Sequence, residues 1–286
     1  MPELPEVEII RRGLEEKIVG LEIKNIEVIR PKTFQGDRKN LWGKKVLNVW
    51  RRAKMLGIDL TSDLTLLFHL KMTGQLIFEK GKEKIIGGHP TEDMLGPMPN
   101  KSTVVIFSFD DGSHLYFNDQ RQFGWVKVIP TSRIEAEEKK LLGELGPEPL
   151  EKDFTWQVLK DNILKRKKTP IKVALMDQSL IAGIGNIYAS ESLFLARVDP
   201  RRLVNTITDG EFKKLHQGIV ESLQTSLKHG GSTLSNFVDA EGKKGYFLNF
   251  ANVYGKEGQA CRGCPDKVVK ITQAGRGTYF CPFCQK

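Results

Sequence analysis

The chain contains 286 residues, of which 40% are hydrophobic and 28% are charged. This composition is ordinary for a globular protein and excludes a fibrous or low-complexity chain. The length allows two or three compact units, each with its own core. Lys and Arg number 44 against 35 Asp and Glu, so the net charge is +9. That excess favours an anionic polymer as partner, although a basic protein without such a partner carries the same charge.

The sequence contains no apolar run that approaches the roughly 18 residues of a membrane span. Residues 1–17 alternate charged and apolar side chains and lack the apolar core of a signal peptide. Cysteine is absent before position 261, unlike the pattern of a secreted disulfide scaffold. We therefore expect a cytoplasmic protein that has no membrane partner and acts as a monomer.

The first predicted element is an amphipathic helix over residues 3–19. Val7, Ile10, Leu14 and Ile18 fall at helical spacing, and Gly20 suits the helix end. After Gly20 the sequence changes to short runs rich in Val, Ile, Leu and Phe. These predict strands at 21–30, 45–50, 55–60, 64–70, 74–79, 103–109 and 113–118. Many short strands after one helix indicate a β-sandwich packed on that helix.

Three other segments differ in composition or apolar period from these strands. Residues 80–101 are rich in Gly, Pro and charge, which predicts a long exposed loop or an insertion between strands. From about residue 133 to 228 the apolar period is helical, and a polar segment follows from 231 to about 247.

The four cysteines form two pairs near the C-terminus. Cys261 and Cys264 are separated by two residues, as are Cys281 and Cys284, and sixteen residues lie between the pairs. This spacing predicts a structural Zn²⁺ site, since four thiolates complete a tetrahedron and leave no open position. Two disulfides or an iron–sulfur cluster are the alternatives.

Between the cysteine pairs, alternating residues and the run Ala274-Gly275-Arg276-Gly277 predict a β-hairpin with Arg276 at its tip. The flanking glycines allow close approach of a ligand, and arginine supplies a bidentate fork for phosphate. A solvated turn arginine fits the same pattern.

The N-terminus offers a second candidate site. If Met1 is removed, Pro2 carries a secondary amine that titrates near pH 8, so a useful fraction is neutral and nucleophilic at physiological pH. Attack on a sugar C1′ would give an iminium, the electron sink that β-elimination requires. Glu3 could exchange protons with the opened sugar. A plain helix cap is the alternative for Met-Pro-Glu.

Six segments in register resemble the formamidopyrimidine-DNA glycosylase family, also called MutM or 8-oxoguanine DNA glycosylase. They are residues 2–8, 69–74, 119–124, 145–150, 177–178 with 182–189, and 274–285. The resemblance covers nearly the whole chain. It implies a base-excision-repair enzyme that removes oxidised purines from double-stranded DNA and then cleaves the abasic site by β,δ-elimination.

The resemblance also implies an α+β multidomain architecture. Residues 1–132 would form the catalytic helix and β-sandwich, and 133–230 a helix–two-turn–helix DNA-binding domain. Residues 231–250 would form a lesion-capping loop and connector, and 251–286 the zinc finger.

Site residues follow from the resemblance position by position. Pro2 is similar to the Schiff-base nucleophile and Glu3 to the acid that protonates the sugar ring oxygen. Lys54 is similar to a lysine that assists elimination and contacts the lesion-side phosphate. Arg276 is similar to the finger arginine that binds the phosphate flanking the flipped nucleotide. Lys54 and Arg276 are surface cations in the alternative interpretation.

The remaining implied contacts are to DNA. Met72, Arg121 and Phe123 resemble the residues that enter the duplex, where Met and Phe wedge the stack and Arg pairs with the orphaned cytosine. Core packing for Met72 and Phe123, and solvation for Arg121, are the alternatives. Further DNA contacts are implied for Lys168, Asn186 and Tyr254.

The chain departs from the family pattern in four places. Lys101-Ser102-Thr103-Val104 stands where members often carry Lys-His-x-His, Ala53 replaces a common glycine, Lys71 adds charge beside Met72, and the segment 80–101 is long. Two other functions are the alternatives: an endonuclease VIII-type glycosylase for oxidised pyrimidines, and a non-catalytic damaged-DNA-binding protein. Leu4 and the Met, Arg and Phe of the wedge favour the purine branch, and the intact N-terminus favours an enzyme.

Overall fold

The structure, a computed structural model, describes residues 1–88, 94, 96–231 and 247–286. The chain divides into two compact units. The first is Met1–Leu141 with His229–Tyr246, of which residues 229–231 are described, and the second is Leu142–Lys228 with Phe247–Lys286. Most of the predicted lesion-capping segment, residues 232–246, lies outside the described residues.

The first unit begins with helix α1 (Leu4–Ile18), as the sequence predicts. Glu3 is the N-cap residue, and its backbone N–H donates to Glu6 Oε2 at 2.8 Å. This bond satisfies one of the amides that a helix start leaves without an intrahelical partner. The predicted apolar stripe of α1 is fully buried.

Two five-stranded sheets follow α1 in the first unit. The first sheet has the order β1-β8-β9-β6-β7 and the second the order β2-β10-β5-β4-β3. All pairs are antiparallel except β2 with β10. The strands are β1 (Ile23–Val28), β2 (Phe34–Gln35), β3 (Val46–Arg52), β4 (Met55–Leu60), β5 (Leu64–His69), β6 (Gly74–Lys80), β7 (Glu83–Gly88), β8 (Thr103–Phe109), β9 (His114–Asp119) and β10 (Trp125–Pro130).

Aromatic side chains from both sheets meet in the core of this unit. Phe68 of β5 lies edge-on to Phe107 of β8 and Phe117 of β9, with ring centroids 5.9 and 5.8 Å apart. Edge-to-face packing of this kind adds to the stabilisation from burial. The apolar face of α1 belongs to the same cluster, so the predicted sandwich packed on a helix is confirmed.

Of the two structures predicted for residues 80–101, a loop throughout is wrong, because strand β7 lies within this range as an insertion between β6 and β8. β7 pairs with β6 through a turn at Gly81, which has φ 59°. Ile85 packs against the core of the unit. The two adjacent isoleucines, Ile85 and Ile86, are therefore enough for an edge strand to form within a segment that is otherwise rich in charge and glycine. Strands β2 and β10 were also missed, since two residues carry no period and β10 ends on Pro130.

The second unit is helical and ends in a β-hairpin, in agreement with the helical period predicted up to residue 228. Tyr188, Leu215 and Phe212 are buried in its separate core. Helix α2 (Ile134–Leu142) precedes the unit. The later elements are α3 (Trp156–Ile163), α4 (Ile171–Leu175), α5 (Asn186–Ala196), α6 (Asp209–Lys228), α7 (Phe247–Phe250), β11 (Val269–Gln273) and β12 (Arg276–Phe280). Short 3-10 turns lie at Pro31–Thr33, Arg38–Leu41, Thr131–Arg133, Leu164–Arg166 and Val204–Thr206.

The hairpin is present, but its tip differs from the prediction. Ala274 and Gly275 form the two-residue turn, with φ 48° and 72°. Arg276 is the first residue of β12 and pairs with Gln273. Positive φ at both turn residues suits the twist of a two-residue hairpin. No helix among the described residues is both long and apolar enough to cross a bilayer.

Candidate active site and nucleic-acid interface

The two N-terminal candidates, Pro2 and Glu3, lie buried just before the first residue of α1. Pro2 is buried, and Glu3 is only 3% exposed. While Met1 is attached, the nitrogen of Pro2 is an amide and has no nucleophilic lone pair. A free Pro2 amine therefore depends on removal of Met1, and Glu3 is then the adjacent carboxyl group.

Lys54 lies in the two-residue turn between β3 and β4 and is 7% exposed. The turn begins at Ala53, whose φ of 51° is in the left-handed region. Arg51 stabilises it by donating from Nη1 to the carbonyl of Ala53 at 3.0 Å and from Nε to Glu8 Oε2 at 3.2 Å. Glu8 belongs to α1, so two hydrogen bonds join the helix that carries Pro2 and Glu3 to the turn that carries Lys54.

Glu8 is ionised under ordinary conditions. Burial raises its pKa, but hydrogen bonds from Arg11 and Arg12 and the charges of Arg11 and Arg51 outweigh that effect, so the net pKa lies below 4.5. The carboxylate thus remains an acceptor for Arg51 down to acid pH.

His69, at the end of β5, is a site residue that the sequence analysis missed. It is 7% exposed, and burial, then the charges of Lys71 and Lys54, lower its pKa to about 3. Its Nδ1 accepts the backbone N–H of Lys71 at 3.0 Å, so the neutral ring carries its proton on Nε2. The sequence did point to this position, because His69 is the first residue of the segment 69–74, which is one of the six segments that resemble the family.

Met72, Arg121 and Phe123 lie on two neighbouring connections between the sheets. Residues 70–73 join β5 to β6, and residues 120–124 join β9 to β10. The connections run side by side, because His69 pairs with Trp125 in one sheet and Gly74 with Asp119 in the other. Met72 is half-buried, whereas Arg121 and Phe123 are exposed. The Arg121 guanidinium stacks on the Phe123 ring, 4.7 Å from its centroid.

The second unit gathers cations around a cavity of about 440 Å³, lined in part by Arg166, Lys172, Gln273 and Arg276. The exposed Arg276 guanidinium makes no hydrogen bond or ion pair within the described ranges, so its fork is available for a ligand. Lys168 is exposed on the segment that leads into α4.

Asn186, the first residue of α5, is bound within the protein. Its Oδ1 accepts from Lys172 Nζ at 2.6 Å, and its Nδ2 donates to the carbonyl of Gly277 at 3.0 Å. Lys172 is 1% exposed and also donates to Thr278 Oγ1 at 2.7 Å. These bonds fix the start of α5 to the hairpin strand that carries Arg276.

Tyr254 is half-buried, and its ring lies 5.0 Å from that of Tyr279. Its position depends on Glu191 of α5, a second residue that the sequence analysis missed. The buried Glu191 carboxylate accepts the backbone N–H groups of Asn252, Val253 and Tyr254 at 2.7, 3.0 and 2.8 Å. No local sequence signal identifies Glu191, because its partners lie some 60 residues away.

The four cysteines converge, and their sulfur atoms all lie within 4.8 Å of one another. The Sγ atoms of Cys261 and Cys284 are 3.8 Å apart, and those of Cys264 and Cys281 are 3.5 Å apart. These separations exceed the roughly 2.05 Å of a disulfide bond, so the thiols are free. The cluster is consistent with a structural metal site.

The buried Pro2 and Glu3 beside a β-sandwich, the cationic cavity of the helical unit and the four-cysteine hairpin together define a class of multidomain proteins suited to a polyanionic ligand. Two family models match: the formamidopyrimidine-DNA glycosylase N-terminal domain over residues 1–126, and the H2TH domain of that glycosylase over residues 145–238. The chain belongs to the formamidopyrimidine-DNA glycosylase family.

Full-length relatives agree with this assignment. The formamidopyrimidine-DNA glycosylase of Pelotomaculum thermopropionicum is 40% identical over 100% of this chain and 99% of its own length. A Lactococcus lactis Fpg variant solved with DNA containing Fapy-dG has a TM-score of 0.87 and 35% identity, and the match covers 100% of both chains. Lactococcus lactis Fpg with DNA containing an abasic site has a TM-score of 0.87 and 34% identity over 99% of each chain.

Proposed function

We propose that this protein is a bifunctional DNA glycosylase and abasic-site lyase that removes 8-oxoguanine and formamidopyrimidines from double-stranded DNA. Membership of the family and the buried Pro2-Glu3 head of α1 carry the proposal. Relatives of known structure are recorded with Fapy-dG and abasic-site DNA, which are a substrate and an intermediate of this reaction.

Pro2 and Glu3 perform the base-release step. After removal of Met1, the neutral Pro2 amine attacks C1′ as the bond from C1′ to the base breaks and the base leaves with the electron pair. The proton on the Pro2 nitrogen passes to the departing base. Glu3 gives its proton to the ring oxygen O4′, so the C1′–O4′ bond breaks, the sugar opens, and the Pro2 nitrogen becomes a positively charged iminium.

Strand cleavage uses the iminium as the electron sink. Loss of a C2′ proton expels the 3′-phosphate, and a second elimination expels the 5′-phosphate. Water then hydrolyses the iminium and restores the Pro2 amine. Lys54 assists the first elimination and binds the lesion-side phosphate, and Arg276 binds the phosphate that leaves in the second. The Nε2–H of His69 is a neutral third donor for backbone phosphate.

The wedge residues support base flipping. Met72 and the exposed Phe123 are apolar groups on adjacent connections, which suits insertion into the stack vacated by a flipped base. Arg121, held over the Phe123 ring, pairs with the orphaned cytosine. Lys168, the N-terminus of α5 at Asn186, and Tyr254 provide further contacts to the DNA backbone.

The cysteine cluster is proposed to hold one Zn²⁺. Four sulfurs at about 2.3 Å from Zn²⁺ lie about 3.8 Å apart along each tetrahedral edge, and the separations of 3.5 and 3.8 Å fit that geometry. Bound there, Zn²⁺ supplies folding free energy and has no open position for chemistry. The cysteines fix the base of the hairpin that presents Arg276.

Borohydride trapping tests the mechanism directly. Incubation of Met1-processed protein with abasic-site DNA and borohydride should give a covalent adduct that peptide mass mapping places on Pro2. The matched control carries a short extension before Pro2, which blocks the amine and should give no adduct. Absence of an adduct from the processed protein would contradict the proposed chemistry and leave a DNA-binding protein.

The lesion preference separates the purine branch from the endonuclease VIII-type branch. Single-turnover excision of 8-oxoguanine paired with cytosine should be faster than excision of oxidised thymine. The reverse order would place the protein with the pyrimidine-directed enzymes. We further propose that it acts on chromosomal DNA in a bacterial cytoplasm, since its matched relatives are bacterial proteins.

A further inference from the structure

A buried carboxylate joins the two connections that carry Met72, Arg121 and Phe123. Asp119 is 1% exposed at the end of β9. Its Oδ1 accepts the hydroxyl of Thr73, which follows Met72, and the backbone N–H of Arg121 at 3.1 Å. Its Oδ2 accepts the backbone N–H of Gly124 at 2.6 Å. The three donors therefore lie at or next to the wedge residues: Thr73 follows Met72, Arg121 donates its own N–H, and Gly124 follows Phe123.

The Thr73 hydroxyl strengthens the link between the connections. It donates to Asp119 and also accepts the backbone N–H of Arg121 at 3.1 Å. Every polar atom in this group thus has a hydrogen-bond partner, and the Thr73 hydroxyl links one connection to the other, which is an arrangement that specifies a single geometry.

Both connections contain backbone that costs energy to hold. Lys71, which precedes Met72, has φ 49°, and Gln122, between Arg121 and Phe123, has φ 53°. Left-handed backbone at non-glycine residues persists only where the surroundings over-determine it. Gly124 is required by close approach, because a Cβ there would lie 3.0 Å from Asp119 Oδ2 and 2.9 Å from Phe117 Cζ.

In the part of the chain that the structure describes, no cation pairs with the Asp119 carboxylate, which accepts only from hydroxyl and amide donors. A buried carboxylate without an ion pair is a poor means of stabilising a fold, but it can fix several donors at once. The lack of an ion pair therefore favours a role for Asp119 in fixing the geometry of the two connections over a role in stabilising the fold.

We propose that Asp119 is the positioning residue of the wedge: its carboxylate fixes Met72, Arg121 and Phe123 in one insertion-ready geometry. This inference rests on the proposed base-flipping function. Asparagine cannot replace the carboxylate, because in either orientation its amide nitrogen faces an N–H or O–H donor. A displaced wedge lowers the rate of base unstacking while the Pro2 chemistry is left in place.

The test uses a 2-aminopurine placed beside the lesion, whose fluorescence rises when its stacking is broken. Asp119→Asn should reduce the rate of that rise and of 8-oxoguanine excision by about tenfold or more, as misplacement of positioning groups does. Borohydride trapping on preformed abasic-site DNA, which has no base to unstack, should stay within about twofold. Discrimination between cytosine and adenine opposite the lesion should also fall.

Three further variants distinguish a positioning role from simple misfolding. Thr73→Val removes one hydroxyl and should reduce the unstacking rate in the same direction, whereas Thr73→Ser keeps the hydroxyl and should restore it. Asp111→Asn is the matched control, because Asp111 precedes the other end of β9 and accepts from Ser113 N, Ser113 Oγ and Lys80 Nζ in a similar way. It should leave unstacking unchanged.

The outcomes separate this inference from the proposed function. Missing borohydride adducts with wild-type protein would reject the glycosylase chemistry, whereas an Asp119-dependent fluorescence change would still support the positioning role. An unchanged fluorescence rate in Asp119→Asn would overturn the positioning role, as would a wild-type protein that gives no fluorescence change. Equal losses of trapping and unstacking in both Asp119→Asn and Thr73→Val would also overturn it, because they indicate general structural damage.

Discussion

At the scale of single residues, the link from Glu8 through Arg51 to Ala53 explains how a strained turn presents Lys54. Ala53 adopts a left-handed φ of 51° in place of the family's common glycine, which allows that backbone without strain. The guanidinium of Arg51 fixes the Ala53 carbonyl and the Glu8 carboxylate at the same time. Only a planar fork has donors in both directions.

Arg51→Lys should therefore impair the turn although it keeps the positive charge. An ammonium group cannot reach both acceptors in the same geometry, so we expect a loss of about 1–2 kcal/mol in the free energy of unfolding. Strand cleavage should slow more than base release, since Lys54 is displaced and Pro2 is not. Gel assays that separate the two steps, with urea unfolding, measure both effects.

Arg52→Lys is the matched control for that variant. Arg52 is the adjacent arginine on β3, and its partly exposed guanidinium pairs with Glu138 at 3.5 Å. An exposed pair of this kind contributes about 0–1 kcal/mol. Equal effects of the two substitutions would contradict the specific role of Arg51.

His69 makes the stability of the protein depend on pH. Its pKa falls from 6.5 in the unfolded chain to about 3 in the folded one. Below pH 6.5 the unfolded state therefore binds a proton that the folded state does not, and stability is lost as the pH falls toward 3 at about 1.4 kcal/mol per pH unit.

His69→Asn should remove this dependence while keeping an acceptor for the Lys71 N–H. Between pH 6.5 and 5, the free energy of unfolding should fall by about 2 kcal/mol less in the variant than in the wild type. Urea titrations at the two pH values give the difference. His114→Asn, on β9, is the control, and a wild-type slope in His69→Asn would contradict the assignment.

At the scale of elements, the sequence predicted the helices and strands whose apolar residues form a recognisable local pattern. The stripe from Val7 to Ile18 identified α1, and short runs rich in Val, Ile, Leu and Phe identified seven of the ten strands in the first unit. β7 was missed because its apolar pair sits among lysines and glycines, so pairing with β6 decided its structure rather than composition. The hairpin turn was predicted two residues too long, because Arg276 and Gly277, which belong to β12, were counted as part of it.

Long-range contacts explain the other omissions. Asp119 and Glu191 are buried acids. Asp119 accepts from Thr73, 46 residues away, and Glu191 accepts from residues 61 to 63 positions away, so no spacing rule predicts their burial. Pro2 and Arg276 were found only because several segments matched a family in register. Their local patterns alone also fit a helix cap and a solvated turn.

Glu191 shows how one buried acid can fix a whole segment. Glu191→Gln should lower the free energy of unfolding by about 2–3 kcal/mol, because an amide nitrogen then faces backbone N–H groups that bound a carboxylate. Denaturation of the purified protein measures this loss. Amide exchange should also increase at Asn252, Val253 and Tyr254. Glu221→Gln, at an exposed position on α6, is the control and should change neither quantity.

At the scale of the whole molecule, the two units have separate apolar cores, and the proposed chemistry uses residues from both. Pro2, Glu3 and Lys54 belong to the first unit, whereas Arg276 and the four cysteines belong to the second. A perturbation confined to the cysteine cluster should therefore weaken DNA binding without unfolding the first unit.

Removal of the metal tests this division. Elemental analysis should find about one zinc per chain, and a chelator strong enough to remove it should destabilise the hairpin, because structural zinc contributes directly to folding. Affinity for abasic-site DNA, measured by fluorescence anisotropy, should fall at least about tenfold, since Arg276 loses its support. In calorimetry, the transition of the second unit should shift to lower temperature while that of the first unit stays in place.

Cys264→Ser should reproduce the effect of the chelator, and addition of zinc should restore the chelated wild type but not the variant. Serine offers a hard, weakly acidic oxygen in place of a soft thiolate, so one ligand of the tetrahedron is lost. The expected result is a protein whose first unit keeps its unfolding transition and whose DNA affinity matches that of the metal-free form. Tight DNA binding after complete metal removal would show that the hairpin holds Arg276 without the metal.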